Sequence, residues 1–271
     1  MAADVITLCA DLAAEHNALD AVVAALAPAA WATPTPAVGW TVHDQVGHLA
    51  FFDERAHTAA VDPGAFAAHL SAIAADPAGW SAGHLDQARA LDPATLLRRW
   101  RRVRSRFIEA AAGLDPATRV AWYGPSMSVA SFVTARLMET WCHGQDVRDA
   151  VGLPPAAGPR LRHIAHLGVR TRANSYLANG REVPAGVTRV ELTAPDGSLW
   201  SWGEPGVTDR IAGSALDFCL VVTQRRHRAD TDLVITGPLA EEWMSLAQAF
   251  AGPPGDGRRA GQFPRASAAA R

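Results

Sequence analysis

The apolar residues of this 271-residue chain change period once, and that change bounds what the chain can fold into. Up to about residue 178 they recur at helical spacing. After that, alternating stretches around tight-turn signals are mixed with helical ones. Val5, Leu8, Leu12, Leu19, Val22, Val23 and Leu26 place a helix over 4–28, and the proline- and glycine-bearing segment WATPTPAVGW stops it. Thr41 reads as an N-cap with Asp44 three residues on, opening a second helix to about residue 60. Residues 63–90 are alanine-rich and suit one or two short helices. Asp92-Pro93 caps a third long helix, and Ser126 or Ser128 opens a fourth. Four long helices with short connections pack most economically as an antiparallel bundle.

The segment VGLPPAAGPR, residues 151–160, marks a junction. A helix over 160–178 follows. VTRVELTAPDGSLWSWG then reads as two strands about a Pro-Asp-Gly turn, IAGSALDFCLVVTQRR as a helix, DLVITG as a strand and PLAEEWMSLAQAF as a helix. The expected fold class is therefore α+β: a four-helix bundle over 1–155 and a smaller α+β domain over 156–254. A tail over 255–271, rich in Gly, Arg and Ala, is expected to be disordered.

Composition removes several classes of function. Hydrophobic residues make up 49% of the chain and the net charge is -2, so a real core is expected and a nucleic-acid partner is not. The run LLRRWRRVRSRF is accordingly read as a solvated outer helix face. No window reaches about 18 uninterrupted apolar residues, which excludes a membrane helix. The N-terminal segment carries acids where a signal peptide carries basic residues, so a cytoplasmic location is expected. The chain contains no lysine, which rules out Schiff-base chemistry. Cys9, Cys142 and Cys219 are scattered among apolar residues and read as buried structural thiols.

Glu139 and His143 lie four residues apart on the last bundle helix, so a carboxylate and an imidazole share one face. His48, on the second helix, can supply a second imidazole. Two imidazoles and a carboxylate with an open position describe a catalytic divalent-metal site, most naturally zinc. An ordinary surface pair is the competing reading of the spacing alone. Asp146 follows His143 by one turn and suits a hold on a ring N–H or a ligand contact. His43, His57, His69 and His84 read as surface or packing residues. Asp53 lies too far round its helix from His48 to be a ligand. Trp40 and Trp141 stand close enough in sequence to these residues to wall a pocket.

At these residues the chain resembles the DinB-like metal-binding superfamily, and within it the mycothiol-dependent maleylpyruvate isomerase group. The likeness is carried by PAVGWTVHDQVGHLAFFDE and ETWCHGQDVRDAVG, and in the second domain by TAPDGSLWSWG and ALDFCLVVTQRRHR. Within the group it is most similar to an actinobacterial subgroup of metal-binding proteins with mostly unassigned reactions. The resemblance places the family's metal ligands on His48, Glu139 and His143 and the continuation of its motif on Asp146. The family's substrate-side arginine falls on Arg225, with Gln224 standing where the family has glycine; a solvated arginine at a helix end is the alternative. It implies zinc or another divalent metal, mycothiol as co-substrate, and a small acidic electrophile that is isomerised or takes the thiol, with the second domain closing over the metal. Two other functions remain open: a hydrolase using metal-bound water, and a metabolite-binding or cyclisation protein in which the metal is structural or absent. Bundle helices of this kind also allow a homodimer.

Overall fold

A computed structural model describes residues 4–263, apart from the side chains at 81 and 82. The chain forms two compact units, Met1–Ala156 and Ala157–Arg271. In the first, α1 (Val5–Ala24), α2 (Val42–Val61), α6 (Pro93–Ala112) and α7 (Val129–Ala150) are the long helices. Both α1 and α2 pack on α6 and on α7, which makes a four-helix bundle. Leu12, Val23, Val46, Leu49, Trp100, Phe107 and Leu137 are buried between them. The expected starts of α2 and α6 are present. Thr41 accepts from the Asp44 N–H, and its own N–H reaches Asp44 Oδ2 at 2.9 Å. Asp92 accepts from Thr95 N–H at 3.0 Å. Ser128, not Ser126, caps α7.

The stretch expected to hold one or two short helices holds three: α3 (Pro63–Ala75), α4 (Pro77–Gly83) and α5 (Asp86–Arg89). Each of the first two starts with an Asp-Pro step whose aspartate caps the helix, and that repeat splits the run. Helix α5 lies against α2 because Gly47 has no side chain; a Cβ there would stand 2.7 Å from Ala88 Cβ. A short pair of strands, β1 (Arg119–Val120) and β2 (Met127–Ser128), precedes α7. The arginine-rich face of α6 is solvated at Arg98, Arg102 and Arg106, but Arg104 turns inward, stacks over Trp100 and bonds His16 O at 2.8 Å.

In the second unit the expected helix over 160–178 is two helices, α8 (Leu161–Arg170) and α9 (Arg172–Ala178). They part at Thr171, whose hydroxyl bonds back to Leu167 O. Strands β3 (Arg189–Thr193) and β4 (Leu199–Trp202) form the expected hairpin, with Gly197 at φ +82° in its turn. The segment IAGSALDFCLVVTQRR is a helix only in part. Its first residues belong to β5 (Arg210–Ser214), which pairs parallel to β3, and Ser214 then caps α10 (Ala215–Val222). With β6 (Val234–Thr236) the sheet order is β4-β3-β5-β6, and α11 (Pro238–Leu246) follows. Val190, Leu192 and Ile211 bury one face of the sheet, and α10 packs on β3 and β5. Residues 255–263 of the expected tail are described: Gly261 N–H bonds Asp230 Oδ1 at 2.7 Å and Arg226 lies over the Phe263 ring. The remainder, 264–271, lies outside the described residues. No helix among the described residues is long and apolar enough to cross a membrane.

Candidate metal centre

Helices α2 and α7 pack together, and their facing sides carry the three candidate ligands. His48, Glu139 and His143 each offer one ligand atom, and these atoms all lie within 4.8 Å of one another. His143 Nε2 stands 3.3 Å from Glu139 Oε2, and the rings of His48 and His143 are 4.3 Å apart. Ligands about 2.0–2.2 Å from a tetrahedral zinc lie roughly 3.4 Å from one another, so the α7 pair already has the spacing such an ion needs. His143 is buried, while His48 and Glu139 are half-buried.

The chemistry of the set fits a cation. Gln45 Oε1 lies 2.5 Å from His143 Nδ1, so that nitrogen carries a proton and Nε2 is the atom turned to Glu139. Across the 3.3 Å between Nε2 and the carboxylate oxygen the two groups can share a proton, as an ion pair, or a metal ion. Gln45 thus makes one hold on the His143 ring. Asp146 itself is buried on α7. Nothing in the pattern of residues marks Gln45, because its partner is 98 positions away.

Aromatic rings surround the ligands. Trp40 lies 5.1 Å from the His48 ring and stacks nearly parallel on His143 at 6.0 Å. Phe52 is 4.5 Å from His48, and His84, read from sequence as a surface or packing residue, comes within 5.7 Å of it. Trp80, Trp122 and Tyr123 continue the wall beyond Phe52. Tyr123 bonds His69 Nε2 at 2.8 Å; burial raises the phenol and lowers the imidazole pKa, so this pair is neutral at pH 7. Trp141, the other expected wall residue, is buried and donates to Ala156 O. Cys9, Cys142 and Cys219 are all buried and form no disulfide with one another, as expected.

Asp53 points to a different cluster. It is fully buried, with Arg136 on Oδ1 at 2.9 Å and Trp100 Nε1 on Oδ2 at 3.0 Å. Burial pushes its carboxyl up, but the Arg136 charge and His16 outweigh that and hold it at about 2. In the second unit Arg225 follows α10, half-buried, and its Nη1 donates to Thr223 O at 2.8 Å. The preceding Gln224 is the one non-glycine residue with positive φ among those described, at 59°. That left-handed backbone is the physical reason a glycine suits the position.

The bundle thus brings two imidazoles and a carboxylate together on facing helices, a set that could hold a metal ion. The chain belongs to the mycothiol maleylpyruvate isomerase N-terminal domain family, whose model it matches over residues 12–148. Residues 184–235 match a second family model, described as wyosine base formation. The chain is 49% identical over 249 residues to "Uncharacterized protein Rv0036c" of Mycobacterium tuberculosis (strain ATCC 25618 / H37Rv), covering 92% of this chain and 97% of that one. "Uncharacterized protein MT0041" of M. tuberculosis (strain CDC 1551 / Oshkosh) is similar to the same extent. Among solved structures, the mycothiol-dependent maleylpyruvate isomerase shares the fold with a TM-score of 0.55 at 13% identity, over 83% of this chain and 90% of that one. A point mutant of that enzyme matches with a TM-score of 0.56 and the same identity and coverage.

Proposed function

We propose that this protein is a metal-dependent enzyme that uses zinc, held by His48, Glu139 and His143, to activate mycothiol for isomerisation of, or S-transfer to, a small acidic electrophile. The observation that carries the reading is the meeting of three ligand atoms within 4.8 Å on two facing helices, in a chain of this family. Bound there, zinc would favour the thiolate form of an incoming thiol near neutral pH. The two imidazoles would bind as neutral donors and Glu139 as the single anion, leaving a net positive charge to attract the thiolate. Trp40 and Phe52 hold the His48 ring between them and limit its exposure to water. The chain's own thiols are buried, so the reacting sulfur is the co-substrate's. Its addition to an activated double bond, rotation and departure would give isomerisation; displacement of a leaving group would give S-transfer. Arg225 is the proposed partner of a substrate carboxylate, which a guanidinium takes in two parallel hydrogen bonds. Asp146 is proposed as polar support for the centre.

Metal analysis of the purified protein tests the centre. The expected result is one zinc per chain, abolished in His143→Ala; zinc retained in that variant refutes the ligand assignment. Turnover measured with and without mycothiol tests the thiol. Activity that needs the metal but not mycothiol would instead indicate hydrolysis by metal-bound water, and a protein indifferent to chelation would indicate a metabolite-binding role.

A further inference from the structure

Gln45 is wholly buried near the start of α2, three residues before His48. A buried side-chain amide must find partners for both its ends, and which end faces which partner is a chemical question. Here the neighbours answer it. The Trp40 carbonyl can only accept, and Thr35 Oγ1 lies 3.0 Å from it, with the Ala37 carbonyl at 3.5 Å. The Thr35 hydroxyl proton therefore goes to a carbonyl, and its oxygen is left to accept. Gln45 Nε2, at 2.9 Å, is the donor that oxygen receives. This turns Gln45 Oε1 toward His143 Nδ1 at 2.5 Å, where an oxygen acceptor requires N–H.

We infer that Gln45, fixed by Thr35 and the Trp40 carbonyl, is a positioning residue that keeps His143 protonated at Nδ1 and so leaves Nε2, beside Glu139, as its ligand atom. The chain of bonds runs from a backbone carbonyl, whose direction is set by the turn before α2, to the ligand atom. A flip of the Gln45 amide would leave Thr35 Oγ1 facing another acceptor, so the amide's orientation, and with it the proton on Nδ1, is set before any ion arrives. Its consequence for metal affinity rests on the zinc reading above; the Nδ1 proton itself does not.

Two measurements test this. In the metal-free protein, long-range ¹H–¹⁵N correlation of the histidine rings should show His143 protonated at Nδ1; an unprotonated Nδ1 overturns the inference whatever the metal does. Zinc affinity by chelator competition should fall roughly 10- to 100-fold in Gln45→Leu, the range found when the outer partner of a histidine ligand is removed. Gln45→Glu, which keeps an acceptor opposite Nδ1, should recover most of that loss, and Thr35→Val should lose part of it. A purely structural Gln45 would lower the melting temperature of the metal-free protein and leave affinity unchanged, which counts against the inference. If Gln45→Leu does not fold, Thr35→Val and the wild-type Nδ1 protonation still decide. The outcomes separate cleanly from the zinc reading. Zinc kept by His143→Ala sinks that reading alone; zinc lost there but bound normally by Gln45→Leu sinks this inference alone.

Discussion

Helices α2 and α7 build two polar clusters five residues apart, around Asp53 and around His48, and finish them in opposite ways. Asp53 receives its cation from the chain itself: Arg136 and Trp100 occupy both carboxylate oxygens, and no part of the group reaches solvent. The His48 cluster instead gathers ligand atoms that would all take the same cation, and two of its members, His48 and Glu139, are only partly covered. The difference separates scaffold from site. Asp53 has the strongly lowered carboxyl of this unit, yet the cause is a closed ion pair. A perturbed pKa is often read as a mark of function. Here it marks the joint that clamps α7 to α2.

The comparison is sharpened most by breaking each cluster in turn. His48→Ala should lower mycothiol-dependent turnover about a thousandfold or more, the several kcal/mol that a Lewis-acidic ion supplies, with thermal stability of the metal-free protein nearly unchanged. Asp53→Asn should do the reverse. It leaves Arg136 buried without its anion, which costs about 3–5 kcal/mol in chemical denaturation, while the folded fraction still binds one zinc. If Asp53→Asn lost zinc stoichiometrically and kept its stability, the two clusters would have to exchange roles.

Much of this arrangement is legible in the residues, and what is not has a common cause. The caps at Thr41 and Asp92 and the facing of Glu139 with His143 are local signals, spanning three or four positions. The approach of His48 to that pair is not local: the residues offer it as a candidate third ligand, and the family resemblance selects it. Without such help, the long-range partnerships stay hidden. Arg136 and Asp53 are 83 positions apart, and Gln45 and His143 are 98. Strand β5 was absorbed into the following helix because its identity depends on parallel pairing with β3, 21 positions upstream by the register Val190↔Ile211. Helix pattern continues through Thr171 as well, and only the hydroxyl's bond to the preceding turn ends α8 there.

The Asp53 cluster should also have a pH signature. Its folded pKa of about 2 lies below the ordinary 3.8, so its contribution is fully present above pH ~4 and is lost as pH falls toward ~2. The gap corresponds to about 2 kcal/mol. Acid titration of stability should therefore fall more steeply in the wild type than in Asp53→Asn across that window. Parallel curves would mean that Asp53 is not the group that senses acid.

The smallest effect concerns the end of α2 nearest the metal centre. Thr41 and Asp44 close the helix start reciprocally, and Asp44 Oδ1 is also held by Arg89 at 2.8 Å. Thr41→Ala removes one acceptor of an orphan N–H and should cost about 1 kcal/mol, read as a shift in denaturation midpoint. The same turn carries Gln45, but Gln45 is fixed by Thr35 and His143 and not by the cap. Zinc affinity should therefore be unchanged in Thr41→Ala while it falls in Gln45→Leu. If removing the cap weakens zinc as much as removing the amide does, general loosening of α2 accounts for both losses, and the contrast between a sealed joint and an open centre no longer rests on individual side chains.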